Sequence, residues 1–217
     1  MSFLAFQNRK WKLAGGAGIT IVGTSFTNSL ATSETVTVTL PAGISSGDRI
    51  QILVLAVANQ KAVTLSGYTY TNLPGSNAFS DAVSMFVKTA AGTESSTNVT
   101  ITHQSPTISM VFAVIIRGTS GLGATPTSAS TSGTTVTAPS ITATAGSMVQ
   151  SLFTMWQSGA VLDSGTATLD VASPGGYWFH MILKEAFGVA AGATTAQTAT
   201  EIYAGDYSGH TIEWLVA

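Results

Sequence analysis

The chain has 217 residues, 8% of them charged (8 basic, 10 acidic, formal net charge −2) and 45% hydrophobic, with a mean hydropathy of +0.36. An ordinary soluble domain carries about 25% charged residues; here 33 Thr, 29 Ala, 25 Ser and 22 Gly take their place. These numbers exclude a disordered chain, which is rich in charge and poor in Val, Ile and Phe, and a duplex-DNA binder, which needs an excess of Lys and Arg. With no Cys, neither disulfides nor thiolate metal sites can form.

Residues 1–18 read MSFLAFQNRKWKLAGGAG and stand apart. Arg9, Lys10 and Lys12 are three of the eight basic residues, and no acid accompanies them. The apolar Phe3, Leu4 and Phe6 precede the charge, the reverse of a secretory signal. We expect a basic, aromatic assembly arm, with Phe3, Phe6, Arg9, Lys10, Trp11 and Lys12 as its contact residues. The run from Gly15 to Gly18 would be its hinge.

Beyond Gly18 the hydrophobic period is two. Thr35 to Leu40 alternates and stops at Pro41; Asp48 to Val57 begins alternating and turns continuously apolar, as a central strand does. Val83–Lys88, Asn98–Thr102 and Ile108–Ile116 follow, the last closed by Arg117-Gly118. Gly, Pro, Ser and Asn separate these runs, as turns require. No 18-residue apolar stretch exists to cross a membrane as a helix. The best helical candidate, Lys184 to Ala191, contains Gly188 and lacks a polar face. The fold class expected is therefore all-β, an antiparallel, jelly-roll-like β-sandwich.

The order of strand types repeats. TVTVTLPAGISSGDRIQILVLAV, VSMFVKTAAG and ISMVFAVIIRG in the first half are matched by TTVTAPSITATAGSMVQSLFTMW, FHMILKEAFG and HTIEWLVA in the second. Gly47 and Gln51 align with Gly146 and Gln150, and Met85 and Lys88 with Met181 and Lys184. The expected organisation is an arm (1–18), a first sandwich half (19–118), an uncharged linker or crossover (119–133) and a second half (134–217). The alternative is one large sandwich whose halves exchange strands.

Chemistry is sparse. His103, His180 and His210 have no second His or Cys at metal spacing. Asp163-Ser164-Gly165 and Asp206-Tyr207-Ser208-Gly209 read as turns. Nothing marks a carboxylate pair for glycoside hydrolysis, and no nucleophile-elbow, phosphate-loop or dinucleotide motif is present. We expect no enzyme, metal or cofactor. Aromatics are the remaining means of binding. Trp156, Trp178 and Trp214 are read as core, and Tyr68, Tyr70, Tyr203 and Tyr207, flanked by turn residues, as surface-binding candidates.

Pro41-Ala42-Gly43 with Gly47-Asp48, then Gly67-Tyr68-Thr69, then Arg117-Gly118 carry a resemblance. The pattern resembles a recurring β-sandwich of bacteriophage virion proteins and bacterial surface proteins, in which Trp is more usual at the Tyr68 position. It covers about 35–118 well and 132–217 loosely, and brings no catalytic residues. It implies an accessory virion component, such as a head decoration or cement protein or a fibre, assembled in the host cytoplasm. Its partners would be other virion proteins and copies of itself (a homo-oligomer, trimer favoured), with no nucleic acid or membrane. The rival expectation is a receptor- or glycan-binding module of a phage fibre or bacterial surface protein. A third is a carbohydrate-active enzyme, which would need two carboxylates in one cleft.

Overall fold

The alternation of β-branched and hydroxyl residues is realised as strands throughout a computed structural model, which describes residues 18–57, 62–71, 73, 81–124, 127–156, 169–172 and 179–217. Among these residues there is no helix. The first half supplies β1 (Thr20–Thr39), β2 (Arg49–Val57), β3 (Ala62–Thr64), β4 (Thr69–Thr71), β5 (Asp81–Thr89) and β6 (Asn98–Arg117). They form one sheet in the order β1-β6-β2-β5-β4, with β3 also on β6. The second half supplies β7 (Thr119–Leu122), β8 (Thr127–Ala138), β9 (Thr142–Ala143), β10 (Met148–Trp156), β11 (Leu169–Ala172), β12 (Phe179–Ala186), β13 (Gly192–Ala193) and β14 (Gln197–Val216). Their sheet runs β11-β12-β10-β14-β7, with β8 beside β14, while β9 and β13 pair separately. Every ladder is antiparallel and stays within its own half.

The sandwich follows from which residues each strand buries. On β2, Leu53 and Leu55 point one way and Ile50, Ile52 and Val54 the other; on β6, Met110, Phe112, Val114 and Ile116 alternate with Val111, Ala113 and Ile115. The first set meets Met148, Leu152, Met181, Leu183, Ile212 and Trp214 of the second sheet, so the sheets pack face to face along a shared seam. The second set is covered by Val36, Val38 and Leu40 at the end of β1 and by Val99 and Ile101 at the start of β6. The two long strands thus serve both layers of the first half. The register between them slips from Ser33↔Thr107 to Thr35↔Thr102, where they leave one layer for the other.

Gln51 and Gln150, and the turns before β2 and β10, occupy comparable places in the two sheets. Gln51 lies between Val87 of β5 and Val114 of β6, and Gln150 between Glu185 of β12 and Ile212 of β14. Before β2, Gly47 N donates to Ala90 O (3.0 Å), Asp48 N to Ser45 O (3.2 Å) and Ala90 N to Asp48 O (2.8 Å). Before β10, Gly146 N donates to Val189 O (2.9 Å), Ser147 N to Thr144 O (3.2 Å) and Val189 N to Ser147 O (3.1 Å). Both turns use a glycine at positive φ, +88° at Gly47 and +81° at Gly146.

Three sequence expectations are corrected. The segment 119–133 is no free linker: β7 pairs with Trp214–Val216, and β8, through Gly133, with Gly205–Thr211. Its small, uncharged residues suit an edge strand as well as a loop. Asn98–Thr102 and Ile108–Ile116 are one strand, β6, with Pro106 at the register slip rather than at an end. Asp206–Gly209 lies inside β14, paired on both sides. A Cβ on Gly209 would collide with the Thr137 carbonyl, so this glycine serves a close backbone approach instead of a turn.

Gly118 joins the halves at φ +77°, where a Cβ would overlap the Gly18 carbonyl oxygen, whereas a Cβ on Gly47 would meet nothing within 4 Å. Gly47→Ala is therefore expected to cost about 1 kcal/mol, the left-handed backbone term alone. Gly118→Ala should cost at least twice that, measured by chemical denaturation; equal losses would show that the close approach is absent.

Candidate functional site

The turn before β2 sends two neighbouring charges to opposite faces, because successive side chains alternate. Asp48 turns to the outer core, where Arg117 clamps it: Nε donates to Oδ1 (2.8 Å) and Nη2 to Oδ2 (2.8 Å). The same Nη2 reaches Gly43 O (2.9 Å) and Ser45 Oγ (3.0 Å). Burial opposes the Asp48 charge, but Arg117 and the Ser45 N–H outweigh it and hold the carboxyl below its usual range. Three of the positions that carry the sequence resemblance, Gly43, Asp48 and Arg117, are thereby explained as a structural clamp.

Arg49 turns to the seam. Its guanidinium donates through Nη1 to Thr89 Oγ1 and through Nη2 to the Ser120 carbonyl (2.6 Å), tying the first half to β7 of the second. Around it opens a groove of about 440 Å³ lined by Arg49, Gly67, Thr69, Thr71, Val87, Lys88, Thr89, Gly121 and Leu122. It combines two cations, Arg49 and the Glu94-paired Lys88, with three threonines and two apolar side chains at the mouth of the seam. Sequence reasoning named Gly67 and Thr69 only as part of the resemblance and did not single out Arg49, Thr71, Thr89, Gly121 or Leu122. The available signal was Arg49 itself, one of few basic residues in the body and unable, by alternation, to pair with Asp48.

On the other side of β4 stand two of the expected surface aromatics. Tyr70 is the most exposed large apolar side chain among the described residues, at 43%. Its ring lies 5.5 Å from Phe86 at 58°. Tyr68 is half-buried beneath Lys88 Nζ, 5.7 Å from its centroid, and Lys88 pairs with Glu94 at 3.0 Å. Glu94 accepts the N–H groups of Ala91, Gly92 and Thr93, and the Ala91 bond foremost pulls its carboxyl down to about 2. Burial, with the Glu94 charge, pushes the Tyr68 phenol up to about 12.

The other expected residues do not join them. Phe3, Phe6, Arg9, Lys10, Trp11 and Lys12 lie outside the described residues. Tyr203 falls in β14, with its side chain outside the described set. Tyr207 is not a surface residue: it is 2% exposed and packs with Val136, Ala138, Phe153 and Ala199. Being in mid-strand and not in a turn, it points into a core.

The seam holds a polar chain at one end. Gln51 Nε2 donates to Gln150 Oε1 (3.0 Å), the residue 99 positions on, and Trp214 Nε1 to the same oxygen (2.7 Å). Gln150 Nε2 donates to Glu185 Oε1 (3.0 Å), and burial pushes that carboxyl up to about 7. Elsewhere in the second half, Ser208 Oγ lies 2.6 Å from Thr154 Oγ1 and 3.1 Å from His210 Nε2. His210 is fully buried, and desolvation drives it down to about 4, so it is neutral. His103 is lowered in the same way and contacts Ser109 Oγ (3.0 Å). These groups are largely withdrawn from solvent, and Gln51 Oε1, His103 Nδ1 and Glu185 Oε2 are left without a partner. Among the described residues no three His, Asp or Glu side chains converge to hold a metal. Comparison with protein-family models, curated proteins and solved structures returned no match.

Glu185 and His210 oppose each other in their dependence on pH. Glu185, raised from 4.5 to about 7, binds more protons in the folded chain, so its contribution to stability falls as pH rises through that window. His210, lowered from 6.5 to about 4, contributes stability above 6.5 that is lost as pH falls toward 4. A comparison with Glu185→Gln cancels the histidine. Between pH 5 and pH 8 the native chain should lose roughly 2 kcal/mol relative to the variant. An unchanged difference by urea denaturation would mean that the carboxyl is not desolvated.

Proposed function

We propose that the chain is a non-enzymatic structural component of a bacteriophage particle, a capsid decoration, cement or fibre-type protein built from a duplicated sandwich unit. It acts through contacts with other virion proteins and with copies of itself, the trimer being the favoured assembly. The observation that carries this reading is the outer layer of the first half. There Thr35, Thr37, Thr39, Asn98, Thr100 and Thr102 all face solvent, above a floor of Val36, Val38, Val99 and Ile101.

Thr37 and Thr100 Oγ1 lie 2.9 Å apart, and Thr39 Oγ1 donates to Asn98 Oδ1 (2.8 Å), so this face is pre-ordered. A flat face of short hydroxyl side chains loses little rotamer entropy on contact, and a neighbouring copy meets no like charge on it. The matching turns and strand orders of the halves support the duplication, and the resemblance of residues 35–118 to phage sandwich proteins supports the particle. Mass spectrometry of purified phage particles from a lysate encoding the chain should find it at tens of copies or more. Light scattering of the purified protein should give a trimer. Absence from the particles would remove the reading.

A further inference from the structure

We propose that the groove at the mouth of the seam is a binding subsite for a carboxylate-bearing sugar, with Arg49 as the residue that takes the carboxylate. The inference goes beyond the particle reading and does not depend on it.

The argument begins with charge. In the described ion pairs Asp48 is taken by Arg117 and Glu94 by Lys88. Arg49 has no carboxylate partner among the described residues. Its Nε is buried, and its two terminal nitrogens hold neutral oxygens, of Thr89 and Ser120, each keeping a second N–H that no carboxylate takes. A half-buried guanidinium is a fork suited to a planar carboxylate. The fold itself does not call for a cation there: the matching place at the start of β10 is Met148, fully buried in the seam.

The rest of the groove selects the kind of carboxylate. Thr69, Thr71 and Thr89 bring three hydroxyls, each able to donate and to accept. A pyranose presents hydroxyls with the same dual character. Val87 and Leu122 offer apolar surface for the C–H face of a ring, and Gly67 and Gly121 keep the walls low. The volume of about 440 Å³ falls within the roughly 300–1,000 Å³ of small-molecule sites. An acidic peptide side chain would use the guanidinium and leave the hydroxyls without partners, so a uronic acid residue fits better.

The test titrates the full chain with tri-galacturonate, monitoring backbone amides by NMR. Saturable shifts are expected at Thr69, Thr71, Thr89 and Gly121, with binding weakened at least about fivefold when NaCl is raised from about 20 to 500 mM. Arg49→Met should weaken binding about tenfold or more. Because Arg49 also ties the halves together, the double variant Thr69→Val, Thr71→Val provides a second arm that leaves that tie intact and should still lose affinity. The proposal is overturned if the groove amides do not shift, if a neutral galactose trisaccharide binds equally well, or if the threonine variant binds like the native chain. It is also overturned if a glutamate-rich peptide gives the same shifts at the same affinity, which would make the groove a protein contact.

Discussion

The central stretches of β2 and β6 have no solvent face, and the architecture answers that constraint. From Ile50 to Ala56 and from Met110 to Ile116 every side chain is buried. A sheet with two apolar faces needs two covers. One cover comes from the chain itself, as β1 and β6 run past the sheet and fold their ends over Ile50, Ile52, Val54 and Phe86. The other comes from the second half, whose Leu152, Leu183, Ile212 and Trp214 close over Leu53, Met85 and Phe112. At roughly 1.5–3 kcal/mol per buried large apolar side chain, neither cover could be removed without leaving a face too costly to expose. The halves are therefore separate in their hydrogen-bond ladders and joined through their side chains.

The two halves differ in how their charges are placed. In the first half, Asp48 and Arg117 lock the turn before β2 to the end of β6. In the second half Ser147 stands in place of Asp48, and the lock is made by Glu213. Its carboxylate accepts the N–H of Ala124 (2.7 Å) and Thr144 (2.6 Å), holding the β7–β8 joint to the turn before β10. Burial disfavours this charge, and the backbone donors of Thr144 and Ala124 more than compensate, leaving its carboxyl below its usual range. The same mechanical task is done once by an ion pair and once by an N–H cradle. With 8% charged residues, each carboxylate described in detail has a defined partner, which is why the lone guanidinium of Arg49 stands out.

Period-two alternation made the strands legible wherever one face was buried and the other solvated. Val36 and Val38 between exposed threonines, and Val99 and Ile101 between Asn98, Thr100 and Thr102, show the pattern in full. It failed where side chains are small on both faces. β7 and β8 as far as Gly133 read as linker because Thr, Ser, Ala and Gly carry almost no hydrophobic contrast, and there the strand form comes from pairing with β14. Tyr207 was misplaced for a related reason: Gly205, Ser208 and Gly209 look like a turn, while the close approach of Thr137 that requires Gly209 is a tertiary fact. The groove was illegible because its walls come from β4, β5 and β7, which sequence spacing does not bring together. The clamp between Asp48 and Arg117, 69 residues apart, lies beyond local pattern for the same reason.

The position of Arg49 links the groove to the seam. Its neighbour by alternation on the same face is Gln51, whose amide meets Gln150, and its own Nη2 reaches the Ser120 carbonyl of the second half. Gln51 Oε1 and Glu185 Oε2 are both buried without a donor, so this end of the seam is polar and not fully satisfied, unlike the apolar stretch through Leu53, Leu152 and Phe112. A seam built this way is weakest near the groove, where two glutamines and one guanidinium hold what leucines hold elsewhere. Any anion seated on Arg49 requires the groove walls from both halves to be in place, and a ligand that binds only the closed arrangement stabilises it by mass action. A ligand held by Arg49 would therefore also strengthen the cohesion of the two halves, because the same guanidinium reaches Ser120.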